Sequence, residues 1–327
     1  MESKMNRRIL ILAAAALLAT TSVNAGESDY PNKPIRMIVP YAAGGVTDVI
    51  SRAVANQMAK QLNQPVVVEN RTGAGGNIGT DLIAKSTPDG YVVGIATNGP
   101  MAANKTLYSS LNYDPEKDFS PVTLLFSIPY LLFVHPSVEA DNIHELISLV
   151  KANPGKYNYA HGGVGTAQYF AGERFVSMAG VKLGSIAYRG EAPAVVDVLG
   201  GHVPIGIASY TSVGPHLATG SLRVLAVTSK QRSALLTKVP TLDESGLTGY
   251  EVQPWFGLAG PAGMPADVIQ KLHAAAVASL TSSEVSKAVT DIGGATVSNS
   301  PQEFSDFISS EIPRWAAMAK ESGAKIE

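Results

Sequence analysis

The chain has 327 residues, which is enough for about two domains. Lysine and arginine number 25 against 27 acidic residues, so the net charge is -2 and no basic surplus favours nucleic-acid binding. Hydrophobic residues make up 45% of the chain, which is enough to fill a core. There is no cysteine, which excludes disulfides, thiolate metal sites, thiol catalysis and a lipid-modified N-terminal cysteine.

The first 25 residues have the pattern of an export signal. Basic residues at positions 4, 7 and 8 precede an apolar stretch from Ile9 to Ala19, and small residues stand at Val23 and Ala25. The apolar stretch is too short to cross a hydrocarbon core of ~30 Å, although a membrane anchor is the alternative. We predict cleavage between Ala25 and Gly26 and a soluble, exported product.

The next segment alternates short β-rich runs with amphipathic helices. Strands are predicted at Ile35–Val39, Val66–Val68 and Tyr91–Ala96. Apolar residues at helical spacing predict one helix that starts at Thr47 and a second that ends near Lys85. This β-α-β-α-β order with short connections predicts a parallel sheet with right-handed crossovers.

A second α/β block follows in the middle of the chain. Strands are predicted at Tyr157–Ala160, Val203–Ser209 and Arg223–Thr228, with helices at Ile143–Lys151 and Ala192–Leu199. The two blocks show no obvious repeat of sequence. We therefore predict an α/β fold in which each block forms a mainly parallel sheet flanked by helices.

The end of the chain predicts one long helix. Ser300 and Glu303 have the spacing of a capping box, and a proline stands between them at the first helical position. Phe304 and Trp315 lie on the apolar face of this helix, and Pro313 should kink it.

No motif in the chain indicates catalysis. His144-Glu145 begins like a zinc-protease helix but lacks the second histidine, and Phe119 stands where a calcium loop would need glycine. A nucleophile elbow and a Walker A loop are both absent from the sequence. We therefore expect a protein that is not an enzyme and needs no metal or cofactor. An exported hydrolase or dehydrogenase stays the alternative, because residues that pair only in space are invisible in a sequence.

Three glycine-rich junctions each follow a predicted strand and precede a predicted helix. They are Gly44-Gly45, Gly75-Gly76 and Gly162–Gly165. Open parallel sheets bind ligands at the carboxyl ends of their strands, and a helix start offers free N–H groups and a positive dipole end. One such junction would be read as a tight turn, but three in one chain favour an anion-binding site.

Side chains beside the first junction suggest roles of their own. Asp48 would repel a bound anion if it faced one, so we expect it to turn back and hold N–H groups of its own loop. Thr47 is free to lend its hydroxyl to the ligand, and Tyr41 opens the loop where it could cover an organic ligand. Trp255 and Trp315 are expected to pack in the core.

Many ordered segments of the chain resemble the periplasmic receptors of tripartite tricarboxylate transporters, also called Bug receptors. The resemblance covers essentially all of the chain after the export signal. The matching segments are Tyr30–Arg36, Val39–Asp48, Val66–Gly79, Pro88–Tyr91, Tyr113–Pro115, Asp118-Phe119, Ala152–Lys156, Leu225–Ser229, Val239–Thr241, Pro261–Gly263 and Arg314-Trp315.

The resemblance implies a two-lobed, type II periplasmic binding fold with the ligand cleft between the lobes. Lobe one would comprise residues 26–128 and 252–327, and lobe two residues 129–251. It further implies a cofactor-free monomer in the periplasm of a Gram-negative cell. This monomer would capture a small carboxylate and hand it to an inner-membrane permease. A receptor that presents its ligand to a sensor protein is a second possibility.

The resemblance also assigns ligand-binding residues. In related receptors the first two glycine loops hold a carboxylate through backbone N–H groups, and lobe two adds the third junction. In this chain the positions in lobe one are Tyr41, Ala43, Gly44, Gly45, Gly75 and Asn77. The positions in lobe two are Gly165, Thr166, Tyr188, Arg189 and Ser209. Tyr188 and Arg189 stand where the family usually has Tyr-Lys-Gly.

One departure from the family bears on the choice of ligand. Relatives commonly read Gly-Gly-Gln-Val-Asp where this chain ends the same motif with Pro204. If the lost acid faced the cleft, the ligand should lack a positive group and be a dicarboxylate or an aromatic acid. The alternative is a structural replacement at a strand start, where proline is tolerated.

Overall fold

A computed structural model describes residues 30–188 and 190–322. Residues 30–32 lie outside the compact unit that begins at Lys33. The predicted export signal and Arg189 therefore lie outside the described residues. None of the helices described is long and apolar enough to cross a membrane.

Six strands form the first sheet. The strands are β1 (Ile35–Val39), β2 (Val66–Asn70), β3 (Val92–Thr97), β4 (Phe119–Ser127), β10 (Trp255–Pro261) and β11 (Ala295–Thr296). Their spatial order is β11-β4-β10-β3-β1-β2. The three strands predicted in this part of the chain are confirmed, with boundaries that differ by two residues at most.

Five strands form the second sheet. The strands are β5 (Tyr130–Val134), β6 (Asn158–His161), β7 (Gly184–Ala187), β8 (Ile205–Ser209) and β9 (Arg223–Val227). Their spatial order is β7-β6-β8-β5-β9. We call the part of the chain around the first sheet lobe one and the part around the second sheet lobe two.

Each sheet contains two parallel pairs and one strand inserted between neighbours that run the opposite way. In the first sheet the edge strand β11 is also antiparallel to its neighbour β4. β1 is parallel to β2 and β3, and β6 is parallel to β7 and β8. β10 and β5 are antiparallel to both of their neighbours. Each inserted strand follows directly on a passage of the chain from the other sheet. The inserted strand therefore starts at the end of its own sheet that faces the other sheet, and it runs away from that other sheet. The strands that are joined by helical crossovers run toward the other sheet.

Helices flank both sheets. The longer ones are α1 (Val46–Leu62), α2 (Asn77–Ala84), α4 (Ile143–Ala152), α5 (Ala167–Ala179), α6 (Glu191–Leu199), α8 (Ala266–Leu280), α9 (Ser283–Asp291) and α10 (Pro301–Glu321); α3 (Asn104–Leu107) and α7 (Tyr210–Val213) are single turns. The predicted α/β class and the flanking helices are confirmed. The chain passes between the sheets at residues 128–129 and 228–254, and the lobe boundaries at 128/129 and 251/252 stay a prediction.

Helix α10 packs against both lobes. Its first half places Phe304 and Ile308 in the core of lobe one, and its second half places Trp315 in the core of lobe two. The Trp315 ring meets Phe170 of α5 edge to face, with the ring centroids 5.6 Å apart. The predicted capping box is present at Ser300, so the helix begins where the sequence indicated.

A buried carboxylate anchors the middle of α10. Glu311 is 3% exposed, and its Oε2 accepts the indole N–H groups of Trp255 at 2.9 Å and Trp315 at 2.7 Å. Its Oε1 accepts Nη1 of Arg314 at 2.7 Å. Because Trp255 begins β10, this carboxylate ties α10 to the segment where the chain returns to lobe one.

Candidate functional site

A cavity of about 220 Å³ lies where the carboxyl ends of strands from both sheets meet. Lobe one contributes residues after β1, β2 and β3, and lobe two contributes the segment after β6. The lining residues are Tyr41, Thr47, Gly75, Thr97, Asn98, Gly99, Asn104, Tyr108, Tyr130, Val164, Gly165, Thr166, Ala167, Gln168, Pro254 and Phe256. None of these described lining residues carries a charged side chain.

The first junction turns the chain from β1 into α1. Gly44 has a φ of +81°, a conformation that favours glycine, and Gly45 is the N-cap of α1 without a side-chain hydrogen bond to the helix. Thr47, in the first turn, lines the cavity. The uncapped N–H groups of this first turn are therefore left for another acceptor.

Asp48 holds this junction together, as the sequence led us to expect. Its Oδ2 accepts the N–H of Gly44 at 2.9 Å and Nε of Arg52 at 3.1 Å. Its Oδ1 accepts Nδ2 of Asn70 at 2.9 Å, and the same Asn70 amide reaches the carbonyl of Tyr41 at 3.0 Å. The loop is thereby fixed to the end of β2, and the carboxylate faces the loop.

The charge of Asp48 is stabilised although the side chain is buried. Burial alone would raise the pKa of this carboxyl, but hydrogen bonds from Arg52, Gly44 and Asn70 outweigh it and lower the pKa below its ordinary value. Asp48 thus stays ionised throughout the physiological range and keeps its three donors in place.

The second junction turns β2 into α2 through a single helical turn. Gly75 lines the cavity with a φ of +63°, and a Cβ there would come within 3.0 Å of the Tyr108 hydroxyl. Asn77 lies behind the wall, where its Oδ1 accepts Nδ2 of Asn104 at 2.6 Å and the Tyr113 hydroxyl at 2.9 Å. Asn77 therefore positions Asn104, which does line the cavity.

The third junction belongs to lobe two and leads into α5. Gly165 has a φ of +81°, and Thr166 caps the helix by accepting the N–H of Tyr169 at 3.3 Å. The Thr166 hydroxyl also donates to the carbonyl of Gly163 at 2.7 Å. Ala167 and Gln168, the first two helical residues, line the cavity, so their N–H groups start a second helix at the same space.

The structure brings together only part of the predicted set. Tyr41, Thr47, Gly75, Gly165 and Thr166 line the cavity. The Tyr41 hydroxyl lies 2.8 Å from Oγ1 of Thr97, and burial raises the pKa of Tyr41.

Other predicted positions lie behind the wall or have donors committed elsewhere. The Gly44 N–H is bound to Asp48, and the Tyr188 hydroxyl donates to Asp197 of α6. Both donors of Ser209 are taken by Glu191. Ala43, Gly44, Gly45, Asn77, Tyr188 and Ser209 are not among the lining residues. Arg189 lies outside the described residues.

Several lining residues were not foreseen. Thr97 ends β3, the third parallel strand of lobe one, and Asn98 follows it directly. The rule that ligands bind at the carboxyl ends of parallel strands therefore applied to them as well as to the first two junctions. Tyr130 and Phe256 stand on the two inserted strands. No pattern in the sequence marks these two residues, because it does not show where the chain passes between the sheets.

Pro204 lies far from the cavity. It precedes β8, whereas the cleft end of that strand is Ser209, roughly 16 Å away at the rise of a β-strand. Its carbonyl accepts the N–H of His135 at 2.9 Å. The hypothesis that Pro204 changes the choice of ligand is therefore wrong, and the residue is a replacement at a strand start.

A two-lobed α/β protein with a small cavity between helix starts, whose described lining residues carry no charge, has the architecture of a solute-binding protein. Comparison with known proteins agrees with this class. Residues 50–324 match the family model described as tripartite tricarboxylate transporter family receptor. The protein BugT of Bordetella pertussis is 37% identical over 326 residues, which cover 99% of this chain and 100% of BugT.

Solved structures with the same fold are similar in sequence as well. A protein of R. palustris solved with adipate is 33% identical with a TM-score of 0.81, covering 91% of this chain and 100% of that one. MatC of Rhodopseudomonas palustris, solved with bound malate, is 30% identical with a TM-score of 0.77, covering 88% and 99%. The chain belongs to the tripartite tricarboxylate transporter receptor family.

Proposed function

We propose that the protein binds a small organic carboxylate in the cavity between its lobes and delivers it to an inner-membrane permease. The observation that carries the proposal is the pair of helix starts at one cavity, among whose described lining residues none is charged. The first turns of α1 and α5 offer N–H groups there, with Thr47 and Thr166 beside them. Helix starts favour an anion through these donors and the helix dipole, without any basic side chain.

The related structures support the chemistry of this ligand. The two neighbours described above were solved with adipate and malate, which are both small dicarboxylates. A cavity of about 220 Å³ is large enough for acids of this size. The protein's part is binding, so we expect a captured acid to be released chemically unchanged.

Export is part of the proposal. The basic, apolar and small residues of the first 25 positions support cleavage between Ala25 and Gly26 and a location in the periplasm. Intact mass spectrometry of periplasmic extracts should find a chain that starts at Gly26. A chain that keeps Met1 and stays with the membrane fraction would contradict this.

A matched panel of acids and amides tests the function. Succinate, adipate, citrate and a benzene dicarboxylate are compared with their uncharged amides in a thermal-shift assay, followed by titration calorimetry. At about a hundredfold excess over the dissociation constant a ligand adds ~2.7 kcal/mol, which should raise the melting temperature by several degrees. The amides should give no shift. If none of the acids shifts the melting temperature, the proposal is refuted.

A further inference from the structure

Glu191, the first residue of α6, places a carboxylate behind the lobe-two wall of the cavity. Its Oε1 accepts the N–H of Ser209 at 3.0 Å and the hydroxyl of Ser209 at 2.6 Å. Its Oε2 accepts Nε2 of Gln168 at 2.7 Å. The donors at the cleft end of β8 are therefore already bound to a carboxylate of the protein, and a ligand carboxylate would meet that negative charge instead of free donors.

Gln168 connects Glu191 to the cavity, because it is hydrogen-bonded to Glu191 and also lines the cavity. The residue is only 7% exposed and lines the cavity. With Glu191 on one side, the amide must turn its NH₂ group to the carboxylate, because the opposite orientation would set two oxygens against each other. The amide oxygen of Gln168 then stays available, and it accepts no hydrogen bond from any residue in the described ranges.

The charge of Glu191 affects the pKa of a residue in the cavity wall. Burial raises the pKa of the Tyr130 hydroxyl well above its ordinary value, and the negative charge of Glu191 adds to this shift. Tyr130 and Gln168 line the same cavity. No basic group within the described ranges, which omit Arg189, makes an ion pair with Glu191.

We propose that Glu191 and Gln168 select a carboxylate that also carries a hydrogen-bond donor, a hydroxyl or an ammonium group. This rests on the proposed function: the helix starts hold the carboxylate, and the Gln168 oxygen accepts the donor. Glu191 is the positioning residue, since it acts by fixing the orientation of the Gln168 amide.

Three four-carbon acids of matched skeleton test the selection by titration calorimetry. Malate and aspartate each add one donor to succinate, and we expect both to bind about tenfold more tightly or better, as one good hydrogen bond would give. Equal or tighter binding of succinate would overturn the inference and leave the proposed function intact. Absence of binding by all three, and by the wider panel of acids, would refute both.

Two variants separate a positioning role from a merely structural one. In Glu191→Gln the new amide oxygen can keep the Ser209 donors while its NH₂ group faces Gln168. The Gln168 amide then reverses and presents its own NH₂ group to the cavity, so the preference should invert toward succinate. Gln168→Leu should abolish the preference without inverting it. Aspartate should lose more affinity than malate in Glu191→Gln, because the charge is lost as well. If folded Glu191→Gln keeps the original ratios between its affinities for malate, aspartate and succinate, the inference is overturned.

Discussion

Gly45 is the position at which one side chain can occupy the proposed anion site. It is the N-cap of α1 with ordinary extended backbone angles, and a Cβ there would meet nothing nearer than the Ala42 carbonyl at 3.5 Å. Aspartate is a favoured N-cap, so Gly45→Asp should leave the melting temperature unchanged or slightly raised. Its carboxylate would take the N–H groups of the first turn, and carboxylate affinity should fall by about tenfold to a hundredfold.

Gly45→Ala is the matched control for this prediction. It adds the Cβ without the charge, so it should bind the same acids nearly as well as the unchanged protein. Calorimetry on both variants checks the pair. Tight binding by folded Gly45→Asp would place the ligand carboxylate away from α1.

Asp48 should matter to binding although it touches no ligand. In Asp48→Asn the amide cannot accept from Gly44, Arg52 and Asn70 together, so the first junction loosens. We expect a loss of about 1–3 kcal/mol in unfolding free energy and about tenfold in affinity, measured by urea denaturation and calorimetry. Asp291→Asn, which removes an equal charge from an exposed pair with Lys287, should change neither.

The lowered pKa of Asp48 also sets a pH range for its contribution. The ionised carboxylate is favoured in the folded protein, so its stabilising effect is complete above the unfolded-state pKa of about 3.9. The effect is lost as the pH falls through the lower pKa of the folded state. The stability difference between the original protein and Asp48→Asn should therefore persist down to about pH 4 and shrink below it.

How far a residue's role could be predicted depended on how near its partners lie in the chain. Asp48 was expected to turn back to its loop, because the helix and the glycines that decide its orientation are adjacent in sequence. Ser209 was expected to meet the ligand, yet its donors are taken by Glu191, from a helix that the sequence does not place beside it. The same holds for Tyr188, whose hydroxyl goes to Asp197.

Among the elements, α10 offers the clearest test of a structural role. Glu311→Gln keeps the shape but replaces one acceptor oxygen with a donor that faces Arg314 or an indole N–H. Leaving buried donors unpaired should lower the unfolding free energy by about 1–3 kcal/mol, measured by urea denaturation. Glu321→Gln, near the exposed end of the same helix, is the control and should leave it unchanged. Equal effects of the two substitutions would deny Glu311 its anchoring role.

Part of the elements and part of their pairing could be predicted from the sequence, whereas the strands β4, β5, β7, β10 and β11 were not foreseen. The periodicity of the apolar residues and the positions of the turn residues located β1, β2 and β3 and the helices between them. The short connections implied that these strands are parallel. The direction of β5 and β10 depends on the chain passing straight from one sheet into the other, which hydrophobic patterns do not show. The packing of the second half of α10 on lobe two could not be predicted either, because an apolar helix face does not show which surface it packs against.

At the scale of the whole molecule, ligand binding between two lobes should be accompanied by closure. A saturating acid from the panel is expected to lower the radius of gyration measured by small-angle scattering. The change should be modest, because α10 packs on both lobes and limits how far they can separate. An amide analogue that does not bind should leave the scattering curve as it was, and identical curves with and without a bound acid would contradict closure.

The two tryptophans of this chain make it an optical reporter of its own movement. Both indole N–H groups donate to the same carboxylate, Glu311, one from the segment that returns to lobe one and one from the helix that spans both lobes. Neither indole lines the cavity, so a bound acid cannot quench them by contact. Because Tyr41, Tyr108 and Tyr130 do line the cavity, the tryptophans must be excited selectively. A change of tryptophan fluorescence on adding ligand would then report a shift between the lobes, and its time course would follow opening and closing without any attached dye.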